Sequence, residues 1–390
     1  MTGTDTLSEN PGAGGGGAAL LSRAAVIAIA MMFGLTYSLS AGLIALDLAA
    51  RNLSETFIGA NAAMHALGVL AMAVLLPRIV AALGIRRLVV GALVLAALVL
   101  AAFPATPIWL WFPLRILLGA ASEALFVLSE TWTNSLSTEA TRARAMAVYT
   151  AALSVGFALG PLMLSVIGAG GAAAYLAGAG VALLAALLVA SPKVRAPAFD
   201  RPSRESPLHF IRLAPVAMGA IMLNAAIETA GLSFLAIYAT QLGWPESGAT
   251  RLMTCMMVGA ILLQLPIGWL GDKMDRMKLV VLLAAGATLG ALLWPFALAS
   301  EAATYALLFV WGGAFVGIYT IMLAVVGSRF QGSELVGIYA VMGLMWGVGA
   351  LLGPVLAGLA MDLVPHGLAF FAAAVCFVFV ASVMAGRRTA

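Results

Sequence analysis

The chain has 390 residues, of which 63% are hydrophobic and only 9% charged, and its mean hydropathy is +1.08. Soluble domains carry about 25% charged residues, so this composition excludes a protein whose surface lies in water. The net charge of +4 does not indicate nucleic-acid binding, because the basic residues follow the membrane topology described below. Two cysteines and three histidines, scattered along the sequence, form no metal motif, and no phosphate-binding loop is present. We therefore expect neither an enzyme nor a bound cofactor or metal.

Apolar stretches long enough to cross a bilayer as helices recur along the chain. Residues 88–102 contain no polar side chain, which excludes the alternating pattern of a membrane β-barrel. The sequence therefore predicts an all-α membrane protein. Its twelve transmembrane helices are expected at residues 24–49, 57–77, 88–105, 108–132, 144–168, 171–190, 214–241, 247–270, 279–299, 302–328, 334–361 and 367–386.

Two polar segments divide the chain. Residues 1–22 are rich in glycine and lack the basic region of a secretory signal, so we predict a disordered cytoplasmic tail. Residues 191–213, rich in proline and basic residues, predict a cytoplasmic linker between two six-helix bundles at residues 23–190 and 214–390. The bundles echo each other, because Gly156-x-x-x-Gly160-Pro161 in the fifth helix corresponds to Gly349-x-x-x-Gly353-Pro354 in the eleventh. Internal repeats of this kind are typical of secondary transporters, and the glycines indicate close helix contacts.

The basic residues predict the orientation. With the N-terminus inside, the cytoplasmic segments hold every Lys and Arg except Arg51, Arg115 and Arg251. Cytoplasmic loops carry such an excess, and an even number of helices puts both termini on the cytoplasmic side. The composition, rich in Arg and Ala, suggests a bacterial source. We expect a monomer in the lipid bilayer of the bacterial cytoplasmic (inner) membrane.

Polar side chains are unevenly distributed among the helices. The third, sixth, ninth and twelfth helices are almost bare of them, which predicts that these helices face lipid. Each charge at the bilayer centre costs about 2.5–3.5 kcal/mol and needs a partner or a watery cavity. The first, second, fourth and seventh helices are therefore predicted to border a central cavity, since they carry the ionisable residues Asp47, His65, Arg115, Glu123, Glu130 and Glu228.

Several motifs resemble those of the major facilitator superfamily, from the first helix to the twelfth. The segment 268–278 is similar to the family's cytoplasmic gating loop, Gly-x-x-x-Asp-Arg/Lys-x-Gly-x-Arg-Arg/Lys, although Asp275 replaces its second glycine. The loop after the second helix has Ala81 where the family has Asp. The resemblance implies the family's fold and gating roles for Arg86, Arg87, Gly268, Asp272, Lys273 and Arg276.

Two further motifs resemble those of the drug/proton antiporter branch. Arg115-x-x-x-Gly119 is similar to the motif associated with proton coupling, and the glycine–proline motif of the fifth helix is similar to the second part of the antiporter motif. Near the cytoplasmic face, Glu130, Arg142 and Arg144 fit a gate latch better than a substrate site.

Four residues are candidates for proton coupling. Glu123 and Arg115 lie about 80° apart on one helix, so both can border the same cavity, where a carboxylate changes protonation as the cavity opens. The alternative is a permanent structural pair that holds the fourth helix to a neighbouring helix. Glu228, with nothing basic near it in sequence, predicts a proton carrier or a site for a cationic solute. Asp47 is expected to pair with Arg115, with structure and function equally open. His65 is a candidate titrating group, or it simply bonds a backbone carbonyl.

The predicted substrate site combines polar and aromatic side chains on several helices. The alternative for most of the aromatic residues is ordinary helix packing. The candidates are Tyr37, Asn61, Arg115, Asn224, Tyr238, Trp311, Tyr319, Tyr339 and Trp346.

Together these features predict a secondary active transporter that exports a small amphipathic solute by proton-coupled alternating access. Its partners would be the small-molecule substrate, protons and the lipid bilayer. The alternative is uptake or exchange of a small metabolite, anionic if Arg115 binds it. A membrane scaffold or sensor that transports nothing is the third hypothesis.

Overall fold

The computed structural model describes residues 15–136, 139–194, 211–330 and 332–389. Within these ranges the chain forms helices and loops, and twelve helices are long and apolar enough to cross a membrane. The predicted all-α fold class is therefore confirmed. The helices are α1 Gly15–Ala50, α2 Glu55–Leu83, α3 Ile85–Ala102, α4 Trp111–Ser135, α5 Glu139–Ile167, α6 Ala173–Ala190, α7 Pro215–Gln241, α8 Glu246–Lys273, α9 Arg276–Ala297, α10 Glu301–Arg329, α11 Gly332–Leu363 and α12 Gly367–Thr389.

The predicted helix boundaries need three corrections. Because α1 begins at Gly15, residues 15–22 are helical rather than part of a tail, and residues 1–14 lie outside the described chain. Helix α2 continues past Pro77 to Leu83, since neighbouring helices let membrane helices tolerate proline. Helix α8 is interrupted at Leu263, just before Pro266, whose ring excludes a regular turn. Of the predicted linker, residues 195–210 are outside the described ranges.

Helices α1 and α7 lie at the centre of the bundle, have the largest buried share and contact each other. Every third helix (α3, α6, α9 and α12) has large apolar side chains on its exposed surface, such as Leu98, Leu187, Leu289 and Phe377. These exposed apolar side chains agree with the prediction that α3, α6, α9 and α12 face lipid. Polar residues in the middle of α1 and α7, such as Ser40 and Asn224, are consequently buried.

The repeated glycines bring helices together inside each six-helix half. Gly156 and Gly160 of α5 abut the backbone of α1, and Gly349 and Gly353 of α11 abut the backbone of α7. A Cβ at any of these positions would clash with a backbone atom of the facing helix. The predicted close contacts are confirmed, and they fasten the innermost helix of each half.

The two halves meet through α2–α11, α5–α8 and α1–α7. At the end of the bundle that carries Arg51 and Arg251, which we call the outer end, two carboxylates cross the interface. Asp362 of α11 accepts hydrogen bonds from the backbone N–H groups of Glu55 (3.0 Å) and Thr56 (2.9 Å), the first residues of α2. Glu246 of α8 accepts one from the N–H of Ala169, after α5 (2.6 Å). We call these contacts the outer latches.

Candidate functional site

A cavity between the two halves is lined by residues of α1, α2, α4, α7 and α11, and the first four of these helices contribute polar side chains. It is nearly closed in this structure, with room for about one water molecule. Its walls, which define the central cavity, are Tyr37, Ala41, Ala62, His65, Ala66, Arg115, Thr229, Ser233, Ala350 and Pro354.

Arg115 is buried in the wall of the central cavity, with 3% of its surface exposed. One terminal nitrogen donates to the backbone carbonyl of Ser40 on α1 at 2.9 Å. Its Nε has no hydrogen-bond partner, and no carboxylate of the described chain lies within 4.0 Å of the guanidinium. The predicted position of Arg115 beside a cavity therefore agrees with the structure, whereas an ion pair does not form.

Asp47 is engaged elsewhere, so the predicted pairing with Arg115 is wrong. One carboxylate oxygen accepts from Nε of Arg51, one turn further along α1, at 3.0 Å. The other accepts from the hydroxyl of Tyr175 on α6 at 3.1 Å. Asp47 lines an outer depression together with Glu55, rather than the central cavity. Both carboxylate oxygens of Asp47 are thus occupied by partners other than Arg115.

His65 reaches the central cavity from α2 and packs edge-on against Tyr37, with ring centroids 4.9 Å apart. Neither ring nitrogen has a hydrogen-bond partner, so the alternative of a bond to a backbone carbonyl is wrong. Asn61, one turn earlier, is buried, and its amide atoms are also unpartnered in the described chain. Gly119 lets α4 approach the backbone of α2 at His65, which brings Arg115 beside it.

Glu228 lies on α7, one residue before the cavity wall residue Thr229. The amide of Asn224, one turn earlier on α7, donates to its carboxylate at 3.2 Å. The indole of Trp346 on α11 lies near the carboxylate. Tyr37 of α1 lies against Trp346, with ring centroids 6.1 Å apart, and its hydroxyl is within electrostatic range of both Glu228 and Arg115. The structure thus brings together the predicted residues Tyr37, Asn224, Glu228 and Trp346.

Glu123 lies apart from this group. It is eight residues beyond Arg115 on α4, a rise of about 12 Å. No ion pair between Glu123 and a neighbouring helix occurs among the described residues. Its side chain is partly buried and accepts no hydrogen bond from the described residues. Glu130, two turns further along, is also partly buried.

Two aromatic residues predicted to bind substrate pack away from the central cavity. Trp311 is buried, donates to the carbonyl of Ala287 on α9 at 2.8 Å, and packs edge-on against Trp294. The hydroxyl of Tyr238 bonds Nδ1 of His366 at 2.8 Å, near the outer end. Tyr238 is about 80° and about 15 Å from Glu228 on α7, too far for one binding surface. In this structure both residues stabilise helix contacts, and substrate binding by either stays a prediction.

Two other aromatic candidates stay predictions. Tyr319 is partly buried on α10 and packs against the core. The side chain of Tyr339 lies outside the described part of the structure.

The candidate gating residues contact their own half. Arg276 donates to the carbonyls of Gly271 (3.4 Å) and Ala324 (3.2 Å), which fastens the α8–α9 loop to α10. Its ion pair with Asp272 is long, 3.8 Å, and exposed. Lys273 lies over the ring of Trp269.

The N-terminal half shows the same pattern. Arg86 donates to the carbonyls of Val189 and Ala190 and so caps α6. Arg87 is exposed, Gly268 has open space around it, and the side chains of Arg142 and Arg144 are outside the described residues. Gating by these residues stays a prediction.

Sequence reasoning missed some residues of the site. Thr229 and Ser233, one turn apart on α7, line the central cavity, and their position beside Glu228 was the available signal. Asp362 and Glu246 form the outer latches, but their partners lie 307 and 77 residues away in sequence. Such long-range contacts have no local pattern.

Comparison with known proteins identifies the family. The sequence matches the Major Facilitator Superfamily over residues 25–227 and 216–389. The chain belongs to this superfamily. It is therefore a multi-pass membrane transporter rather than an enzyme.

The relatives are distant. The MFS-type transporter YfkF of Bacillus subtilis (strain 168) is 25% identical over 258 residues, which span 64% of this chain and 66% of that protein. YcaD of Escherichia coli (strain K12 / DH10B) is 25% identical over 275 residues, covering 70% of this chain and 71% of that protein.

Solved structures share the fold. A point mutant of the nucleoside transporter NupG superposes with a TM-score of 0.81 at 14% identity, over 93% of this chain and 99% of that one. A D-xylose-proton symporter gives 0.73 at 15% identity, over 93% and 97%. At these identities the likeness shows the fold alone.

Proposed function

We propose that this superfamily member is a proton-coupled alternating-access carrier of a small amphipathic solute, with Glu228 as its principal proton-carrying group. The observation that supports this most is the position of Glu228 in the middle of α7, one of the two most buried helices. Its carboxylate accepts a hydrogen bond from the neutral amide of Asn224 and lies near the neutral indole of Trp346. A proton can therefore supply the charge compensation that no basic side chain of the described residues provides.

Protonation at this position would act on the contact between α1 and α7. The carboxylate is bound by Asn224 within the C-terminal half and lies within electrostatic range of Tyr37 on α1, in the other half. Adding a proton removes the charge near Tyr37, so the proton occupancy biases how the halves meet. Glu123, partly buried on α4, is our second proton-carrying candidate because it has no fixed partner among the described residues.

For the direction we propose export, as in the drug/proton antiporter branch, from the resemblance of the glycine–proline motif. Gly156 and Gly160 also have a packing role against α1, which is independent of the direction of transport. The flux experiment below measures that direction. Uptake is the second candidate function. It is favoured by the likeness to a solved protein described as a D-xylose-proton symporter, which shows that the fold accommodates symport.

We further propose that the protein lies as a monomer in a bacterial cytoplasmic membrane, with both termini on the cytoplasmic side. The distribution of Lys and Arg supports this orientation. The two six-helix halves at residues 23–190 and 214–390 are proposed as the units that move relative to each other. Labelling of the outer end from outside intact cells tests the orientation.

The test compares solute flux in proteoliposomes with and without an imposed pH gradient. The solute is first selected by its ability to raise the melting temperature of the purified protein. Glu228→Gln and Glu123→Gln should abolish gradient-driven flux but retain solute exchange, because an amide keeps the shape and carries no exchangeable charge. Glu301→Gln, the same change at an exposed position in the first turn of α10, is the matched control.

Each outcome of this experiment decides something. Wild-type coupled flux in both Glu228→Gln and Glu123→Gln contradicts the assignment of the proton-carrying groups. Flux that ignores the gradient removes proton coupling. The sign of the coupled flux distinguishes export from uptake, and absence of flux across the whole panel favours the scaffold alternative.

A further inference from the structure

Arg115 is a buried cation whose charge no described side chain neutralises. Its surface is 3% exposed, and its terminal nitrogen donates to the neutral carbonyl of Ser40. An arginine inside the membrane costs about 2.5–3.5 kcal/mol, and a single carbonyl offsets only part of a full charge. The planar guanidinium is shaped to bind a carboxylate or phosphate through two parallel hydrogen bonds.

The described carboxylates that could serve Arg115 are engaged or distant. Both oxygens of Asp47 are held by Arg51 and Tyr175. Glu228 accepts from Asn224 on its own helix, and Glu123 lies about 12 Å along α4. None of the described side chains therefore supplies a counter-charge to Arg115 within 4.0 Å.

The residues around Arg115 indicate which chemical groups the cavity can bind. His65 borders the same cavity, is 5% exposed, and has no hydrogen-bond partner on either ring nitrogen. Two buried donor-bearing groups thus face one space. The rest of the wall is largely apolar, formed by the ring of Tyr37 and by Ala41, Ala62, Ala66, Ala350 and Pro354.

We propose that the transported solute is a small organic anion, whose carboxylate or phosphate group binds Arg115 and whose apolar body lies against the alanine-lined wall of the central cavity. This inference rests on the proposed transport function and names its substrate class. In this structure the cavity has room for about one water molecule, so the solute binds when the two halves move apart and open it.

The experiment measures the melting temperature of the full-length purified protein with matched compounds. One series is benzoate, phenyl phosphate, benzamide and benzylamine, and the other is butyrate, butyl phosphate, butyramide and butylamine. We expect anions of either series to raise the melting temperature in a concentration-dependent manner, and the neutral and cationic analogues to leave it unchanged. Arg115→Met should abolish this shift, and Arg115→Lys should weaken the apparent affinity by about tenfold, since it keeps the charge without the fork.

Stability of the unliganded variant is the internal control. Arg115→Met removes an uncompensated charge, so its melting temperature should equal or exceed that of the wild type. The inference is overturned if amines or amides stabilise as strongly as acids, if no anion stabilises, or if the anion shift persists in Arg115→Met. A fall in the melting temperature of unliganded Arg115→Met that Arg115→Lys restores overturns it too, because it would show a structural role.

This outcome is independent of proton coupling. Arg115-dependent anion binding together with flux that ignores the pH gradient refutes the proposed coupling and leaves the anion site standing. Gradient-driven flux of an amine or a neutral solute, with no anion effect, refutes the anion site and leaves the coupling standing.

Discussion

Asp47 on α1 and Glu228 on α7 are both candidate proton-carrying carboxylates. They differ in the charge of the side chains that donate hydrogen bonds to them. Asp47 is paired with Arg51 at 3.0 Å, whereas Glu228 accepts from the neutral amide of Asn224 and lies near the indole of Trp346. A carboxylate with a cationic partner keeps its charge through a conformational cycle. A carboxylate with only neutral donors is better suited to bind and release a proton. The charge of the donors therefore indicates a structural role for Asp47 and a transport role for Glu228.

Asp47→Asn is therefore predicted to leave coupled flux intact. Its stability cost should be at most about 1 kcal/mol, because Arg51 is partly in solvent and exposed ion pairs contribute little. Melting temperature and gradient-driven flux in proteoliposomes check this. Tyr175→Phe, which removes only the hydroxyl bound to Asp47, is the matched variant. Uncoupled flux in Asp47→Asn would return Asp47 to the proton pathway.

At the scale of elements, the polar pattern of the sequence predicted which helices border the cavity because lipid excludes charge so strongly. It could not predict the rotation and height of each side chain. Trp311 and Tyr238 were therefore assigned to the substrate site, although they pack against α9 and His366. Thr229 and Ser233 were missed because hydroxyl groups on a membrane helix often bond their own backbone, as Thr229 does with Ala225.

The close approach of α2 and α4 gives an element-scale prediction. A Cβ at Gly119 would clash with the carbonyl of His65, whereas a Cβ at Gly91, on the lipid-facing helix α3, meets nothing within 4 Å. Gly119→Ala should thus lower the melting temperature and reduce flux, since it separates Arg115 from His65. Gly91→Ala should keep or raise it, because alanine is favoured in helices by about 1 kcal/mol. Equal melting temperatures of the two variants would show that α2 and α4 do not depend on this contact.

At the scale of the molecule, the outer latches join hydrogen-bond acceptors of one half to hydrogen-bond donors of the other. Both carboxylates of the outer latches belong to the C-terminal half, and the amides that donate to them belong to the N-terminal half. The amides bound by Asp362 are the first of α2, where a helix lacks internal acceptors and favours negative charge. One latch lies at each of the interfaces α2–α11 and α5–α8, so releasing them would open the outer end along its full width.

The last prediction concerns this closure. Asp362→Asn replaces one accepting oxygen by an NH₂ group that faces a backbone N–H, so the latch to α2 should weaken by about 1 kcal/mol, a roughly fivefold shift in population. The readout is labelling of Ala62→Cys, in the central cavity, by an impermeant maleimide applied outside intact cells, in a background with Cys255→Ala and Cys376→Ala.

Labelling should be faster in Asp362→Asn than in the parent, because the outer end opens more often. Glu301→Gln removes an exposed carboxylate that is not part of the outer latches. It should therefore leave the labelling rate unchanged. An unaltered rate in Asp362→Asn would mean that helix packing between α2 and α11, rather than the latch, holds the outer end closed. Labelling from the cytoplasmic side alone would reverse the proposed orientation.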